Sequence, residues 1–225
     1  MTFYSPSDSK FTRHYREEVE MVFSGIDCVL NGELAIYCSS ELTTGRRLYD
    51  ILREYGLKTA SELKKKMGQP WFETNIFGAN ADSAKAFAKS VRSSLSNDAM
   101  IITPAPFTAP GWSQPEYLAF WETLIRTRIK AVWFNENWEF SNGCTFEFAV
   151  ALDAGVPTFD HLGSALSRQK AIQSVEKGIH RLTEEEFDTS KLRENLDRLR
   201  AAHVHPEEEP AAHLFPEKSG SYLSS

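Results

Sequence analysis

Along the first third of the chain, apolar positions recur at helical spacing. Phe11, Tyr15, Val19 and Val22 follow one another at intervals of three or four behind Ser9, which predicts an amphipathic helix with a serine cap. Leu34-Ala35-Ile36-Tyr37-Cys38 is a short unbroken apolar run. It fits either a strand or the start of a helix, because periodicity does not separate the two over so few residues. Leu48, Ile51, Leu52 and Tyr55 make a stripe that stops at Gly56, and Thr59-Ala60-Ser61-Glu62 has the capping-box pattern, opening a short helix that ends near Gly68. From Trp71 the pattern alternates. Phe72 to Phe77 reads as a strand with Gly78-Ala79-Asn80 as its exit turn. Asp82 to Leu95 reads as a helix with Ala84, Phe87, Ala88 and Val91 on one face. Met100-Ile101-Ile102 is a buried strand closed by Thr103-Pro104-Ala105-Pro106, and a loop through Gly111 and Trp112 leads to a helix from Pro115 to about Arg128. Ile129 to Phe134 is the next strand. The helix from Thr145 to Ala154 stops at Gly155 with Pro157 beyond it, and residues 157–160 form a last short strand.

This order predicts an α/β fold, flavodoxin- or Rossmann-like, with a parallel sheet, helices on both faces and extra helices at both termini. The expected division is a mostly helical extension over 1–70, an α/β core over 71–160, C-terminal helices over 161–205 and a disordered tail over 206–225, where Glu207-Glu208-Glu209, prolines and serines replace the apolar pattern. There is no internal repeat.

Composition narrows the function classes. A chain of 225 residues with 41% hydrophobic and 12% aromatic residues can bury a substantial core. A net charge of −6 gives no basic face for a nucleic-acid polymer, and Arg46-Arg47 and Lys64-Lys65-Lys66 read as solvated helix faces. Cys28, Cys38 and Cys144 lack both disulfide parity and metal-ligand spacing. His203, His205 and His213 sit without acidic or cysteine partners, so no metal is expected. No signal-peptide pattern or bilayer-length apolar run is present, and a cytoplasmic setting with no membrane partner is the expectation. Gly78 belongs to no glycine-rich phosphate fingerprint, so no dinucleotide cofactor is expected.

The chemistry concentrates between residues 135 and 147, where the strand ending at Phe134 gives way to a polar loop and then to a helix carrying Glu147 between Phe146 and Phe148. A carboxylate among aromatic rings at a strand-to-helix junction is a candidate nucleophile or base. The bland alternatives are a helix cap, weakened because Cys144 stands where the box requires Ser or Thr, and a salt bridge to an arginine of the C-terminal helices. Ser141, Asn142 and Gly143 fit an anion or sugar cradle as well as they fit a turn with an N-cap. Trp112 and Trp138, both in loops after strands, either stack on a planar base or cover the end of the sheet.

Trp138-Glu139-Phe140-Ser141-Asn142-Gly143-x-x-x-Glu147, followed by Ala151 and Gly155-Val156-Pro157, resembles the signature of the nucleoside 2-deoxyribosyltransferase superfamily, and most of all an uncharacterised phage and bacterial branch. The likeness covers about residues 71–160. It implies cleavage or transfer at the N-glycosidic bond of a nucleoside, nucleotide or related N-glycoside, with Glu147 as nucleophile, Ser141 as the hydroxyl that contacts a 5′-phosphate, and no cofactor. Gly78, Asn80, Asn142, Gly143, Trp112 and Trp138 complete the implied substrate contacts, and a homo-oligomer is implied because sites are shared between subunits in this superfamily. The sequence departs from the pattern in three places. The first strand of the superfamily ends in Tyr-x-x-Gly, but aligned on Gly78 the tyrosine is Asn75. The acid of the helix before the third strand is Trp121, with Glu122 beside it, and the aspartate opening that strand is Lys130. Glu122, Glu139, Glu136 and Asp160 are the candidate substitutes, as are residues from 1–70 or from a partner subunit. The rival from another class is a non-catalytic nucleotide-binding or sensor module. A third reading is an interaction domain in which Glu147 pairs with an arginine.

Overall fold

The computed structural model describes residues 13–95 and 98–202. The expected cap at Ser9, the start of the first helix at Phe11, the tail and the three histidines lie outside the described residues.

Four strands form one all-parallel sheet: β1 (Ala35–Ser39), β2 (Ile101–Ile102), β3 (Ile129–Phe134) and β4 (Thr158–Phe159), in the order β2-β1-β3-β4. Tyr37 pairs with Ile102 on one side and Val132 on the other, and Ser39 pairs with Phe134. The helices are α1 (Arg13–Leu30), α2 (Arg46–Glu54), α3 (Ala60–Met67), α4 (Gln69–Phe72), α5 (Ala79–Ser94), α6 (Gln114–Arg128), α7 (Asn142–Asp153), α8 (Arg168–Glu184) and α9 (Ser190–Ala201). From β1 the chain crosses to β2, then returns past β1 to β3. The order therefore reverses between β1 and β3, and it is at the carboxyl ends of such a strand pair that open α/β sheets form their ligand crevice.

The ambiguous run at 34–38 is a strand because it is covered on both faces, so all five residues of β1 are buried. Side chains alternate across it. Ile36 and Cys38 join Phe87 and Val91 of α5, with Ala131, Trp133 and Phe159 from β3 and β4. Ala35 and Tyr37 face the larger core, built with α1, α6, α7, α8 and α9.

The expected strand over Phe72–Phe77 is a correction. Those residues are helical, in α4 and a π-helical segment, Glu73–Gly78, that runs on into α5. Phe72, Ile76, Asn80, Ala84, Phe87 and Val91 are all buried. They continue one helical face across the supposed exit turn, and that period outweighs the local β-propensity of a six-residue window. Gly78 is no turn either: its φ is −61°. The strand that takes this place in the sheet is β1, so the sheet is built from residue 35 onward and not from 71.

The remaining elements fall where the pattern puts them. Thr59 accepts from the Glu62 amide while Glu62 accepts from the Thr59 amide, the expected capping box. Gly155, φ 66°, ends α7 in the left-handed conformation a C-cap glycine supplies. No helix among the described residues is long and apolar enough to cross a membrane.

Candidate functional site

Glu147 sits midway along α7 and turns toward the carboxyl end of β1. Tyr37 and Ser39, two residues apart on one strand, project from the same face toward it. The Tyr37 hydroxyl donates to Glu147 Oε1 at 2.9 Å and the Ser39 hydroxyl donates to Oε2 at 2.6 Å. Each carboxylate oxygen thus has its own donor, at the point where the strand order reverses. Glu147 is 5% exposed. Burial pushes its carboxyl up to about 7, against the two hydrogen bonds from Ser39 and Tyr37, which favour the charged form. Burial, then the adjacent Glu147 charge, holds the Tyr37 phenol well above its usual range, so it stays a donor. Among the described residues these hydroxyls, not an arginine, satisfy the carboxylate.

A second carboxylate belongs to the same crevice. The loop from Ser40 to Gly45 joins β1 to α2, and Glu41 within it accepts from the backbone N–H of Arg46 at 2.7 Å and of Arg47 at 3.5 Å. Burial pushes Glu41 up to about 6, opposed by those amides. The loop is tied on both sides. Thr44 Oγ1 accepts from the Asn142 amide at 3.2 Å. Asn80, buried on α5, donates to the Leu42 carbonyl at 3.0 Å and accepts from Arg47 Nε at 2.9 Å. Asn80 thus holds this loop to α5 and α2. Arg46 grips both oxygens of Asp50 and lies 5.4 Å from the centre of the Phe140 ring, so it is a structural member of the crevice wall more than a solvated cation.

Ser141 is the N-cap of α7, accepting from the Cys144 amide at 3.4 Å. Asn195 of α9 donates to the Asn142 carbonyl and to Thr145 Oγ1, both at 2.9 Å, and so fixes the start of α7. Ser141, Asn142 and Gly143 thus form the helix start that carries Glu147, and two of its amides already have hydroxyl partners.

Both tryptophans pack against other aromatic rings of the protein. Trp138 is buried, stacked on Phe148 at 4.9 Å and against Phe134 at 5.1 Å. Trp112 packs on Tyr15 and Phe107, and its indole N–H donates to Glu18, which seats α1. Of the substitute acids, Glu122 is paired with Arg126 at 3.0 Å, and Arg126 also holds Asp153 at 2.8 Å. Asp160 accepts from the Leu162 and Ser164 amides, closing a turn. Burial pushes the Glu139 carboxyl up, and the residue packs against α8, where a Cβ on Gly178 would meet the Glu139 carbonyl at 3.5 Å and its Cγ at 3.6 Å. Gly78 lies inside a helix, where an added Cβ would meet the Glu73 carbonyl at 3.2 Å. Trp121 packs against the Tyr37 ring, centroids 5.6 Å apart.

Tyr37, Ser39, Glu41 and Thr44 are the residues the sequence reading missed. The available signal was a polar stretch with a glycine, Ser39 to Gly45, between an apolar run and a helical stripe. Among the described residues, no cluster of three His, Cys, Asp or Glu is arranged to hold a metal ion. Comparison with protein-family models, curated proteins and solved structures finds no match for this chain.

Proposed function

We propose that this protein cleaves or transfers at the N-glycosidic bond of a nucleoside-type substrate, with Glu147 as nucleophile. The observation that carries the reading is the pair of donors on Glu147, Tyr37 and Ser39, at the reversal of strand order. Open α/β sheets bind ligands in that crevice. A carboxylate held by one donor per oxygen keeps its orientation as a glycosyl carbon approaches.

The reaction runs in two steps. A Glu147 oxygen bonds to the anomeric carbon as the carbon–nitrogen bond breaks, and the base departs with that electron pair and takes up a proton. Water or a second base then displaces the carboxylate, which returns to its starting state. Burial that raises Glu147 makes it a stronger nucleophile once ionised, so turnover falls on the acid side of about pH 7.

The resemblance gains a residue from the fold. Tyr37-Cys38-Ser39-Ser40 stands at the end of a central strand, with serine where the superfamily pattern has glycine. On this reading Tyr37 is the counterpart of the superfamily tyrosine that alignment on Gly78 put at position 75.

The test is chromatography with mass detection of the protein incubated with nucleosides, deoxynucleotides, ribonucleotides and NAD, beside Glu147→Gln. Release of free base by the wild type alone supports the reading. Equal release by both proteins sinks it. The enclosure of Glu147, 5% exposed with both oxygens engaged, favours as second reading a module that binds a nucleotide and leaves it intact. Retention of an unaltered nucleotide after long incubation would select it.

A further inference from the structure

Leu192, Asn195, Leu196 and Leu199 are the buried residues of α9, spaced as one apolar helical stripe. The three leucines belong to the main core. Asn195 is an amide, 7% exposed, where that pattern calls for another apolar side chain. Both hydrogens of its Nδ2 go to the start of α7, one to the Asn142 carbonyl and one to Thr145 Oγ1, each at 2.9 Å. Thr145, fully buried, donates its own hydroxyl hydrogen to the Ser141 carbonyl at 2.9 Å, so its oxygen is left to accept from Asn195.

Thr145 and Glu147 are two residues apart on one helix and therefore leave it about 200° apart, on opposite faces. Thr145 meets α9. Glu147 meets β1, its oxygens accepting from Tyr37 at 2.9 Å and Ser39 at 2.6 Å. α7 is thus held between two sets of directional contacts. The leucine contacts around Asn195 are not directional, and apolar burial by itself tolerates one helix sliding or rolling on another. A buried amide does not tolerate it, because a slip leaves its hydrogens without acceptors. A single asparagine in the apolar seam of a coiled coil fixes register for the same reason.

Resting on the reading of Glu147 as the nucleophile, we propose that Asn195 is its positioning residue: by fixing how α9 sits on α7, the amide sets the depth of Glu147 against Tyr37 and Ser39. A helix outside residues 71–160, where the sequence pattern puts the α/β core, then belongs to the site. Without the amide, α7 shifts on α9 and water reaches Glu147. Burial is the largest cause of the raised Glu147 carboxyl, ahead of the opposing bonds from Ser39 and Tyr37, so the carboxyl moves down toward its ordinary value. The Tyr37 phenol and the Cys144 thiol beside it are both pushed up by burial and stay neutral while Glu147 titrates. The Glu41 charge acts on Cys144, and the substitution leaves it in place.

The experiment follows the Glu147 carboxyl carbon by NMR against pH in the full chain, the resonance being assigned by its loss in Glu147→Gln. Wild type, Asn195→Leu and Leu192→Ala are compared. Asn195→Leu keeps the bulk and removes the donors, whereas Leu192→Ala removes packing from the same stripe and keeps the amide. The expected result is a wild-type midpoint near pH 7, a proton affinity at least about threefold weaker in Asn195→Leu, and a midpoint unmoved in Leu192→Ala. An unmoved midpoint in folded Asn195→Leu overturns the proposal. Equal shifts in both variants overturn it too, since packing and not the amide would then set Glu147. If circular dichroism shows Asn195→Leu unfolded, the smaller Asn195→Ser takes its place under the same two outcomes. The titration needs no substrate, so it decides the role of Asn195 even if no base is ever released. Base release by wild type with an unmoved midpoint would keep the glycosidic reading and overturn this one; a shifted midpoint without base release from any substrate would do the reverse.

Discussion

Replacing Tyr37 with phenylalanine removes one oxygen from a residue with no exposed surface and leaves Glu147 Oε1 without its donor. The ring remains, so packing against Trp121 is preserved. What changes is the balance between the two protonation states of Glu147. In the folded protein this carboxyl is raised from 4.5 to about 7. The folded state therefore binds the proton more tightly than the unfolded chain, and its contribution to stability is fully present below about pH 4.5 and lost as pH rises through about 7. At 1.36 kcal/mol per unit, that loss amounts to about 3 kcal/mol. A hydrogen bond to a charged group contributes about 1.5–3 kcal/mol, against about 1 for a neutral one. Tyr37→Phe should then cost about 1 kcal/mol at pH 4.5, where Glu147 is neutral, and about 1–2 kcal/mol more at pH 9, where it must ionise. The phenol itself does not titrate in this window, since it is held well above its usual range. Urea unfolding of both proteins at the two pH values gives the difference, and every other titrating group cancels between them. A cost that is equal at pH 4.5 and pH 9 would show that the Tyr37 hydroxyl does not act on the charge of Glu147, and the proposed preparation of the nucleophile would fail with it.

Thr59→Ala removes one half of the capping box on α3, far from the crevice in its bonding, and should lower stability by about 1 kcal/mol with a fall of about 2–4 °C in Tm and no change in ligand binding. Loss of binding on this substitution would mean that α3 is coupled to the site. Arg126→Ala withdraws the cation shared by Glu122 and Asp153, whose side chains are 10% and 15% exposed, and should cost about 3 kcal/mol in urea unfolding at pH 7. A cost under about 1 kcal/mol would show that water screens the cluster.

Much of this architecture was legible in the chain. Strand Ile129–Phe134 announces itself by a β-branched and aromatic apolar run, and the helix carrying Glu147 by a longer apolar stretch closed by glycine. The capping box at Thr59 is local chemistry, decided by residues three apart. Local signals of this kind also selected Glu147 as the residue to watch. They failed at Phe72–Phe77, where six apolar-rich residues satisfied a strand pattern, although the helical face they share with Ala84 and Val91 extends beyond any short window. Tertiary structure alone decided that Ala35–Ser39 is a strand, since only cover from both faces of the sheet makes so short a run bury every residue. It alone brought Tyr37 and Ser39 to Glu147 across 110 and 108 residues, and turned Glu41 onto the helix that follows it. Sequence patterns report which residues must leave water and with what period. Which of those residues meet is fixed by strand order and register, and these depend on contacts that no stretch of the chain contains by itself.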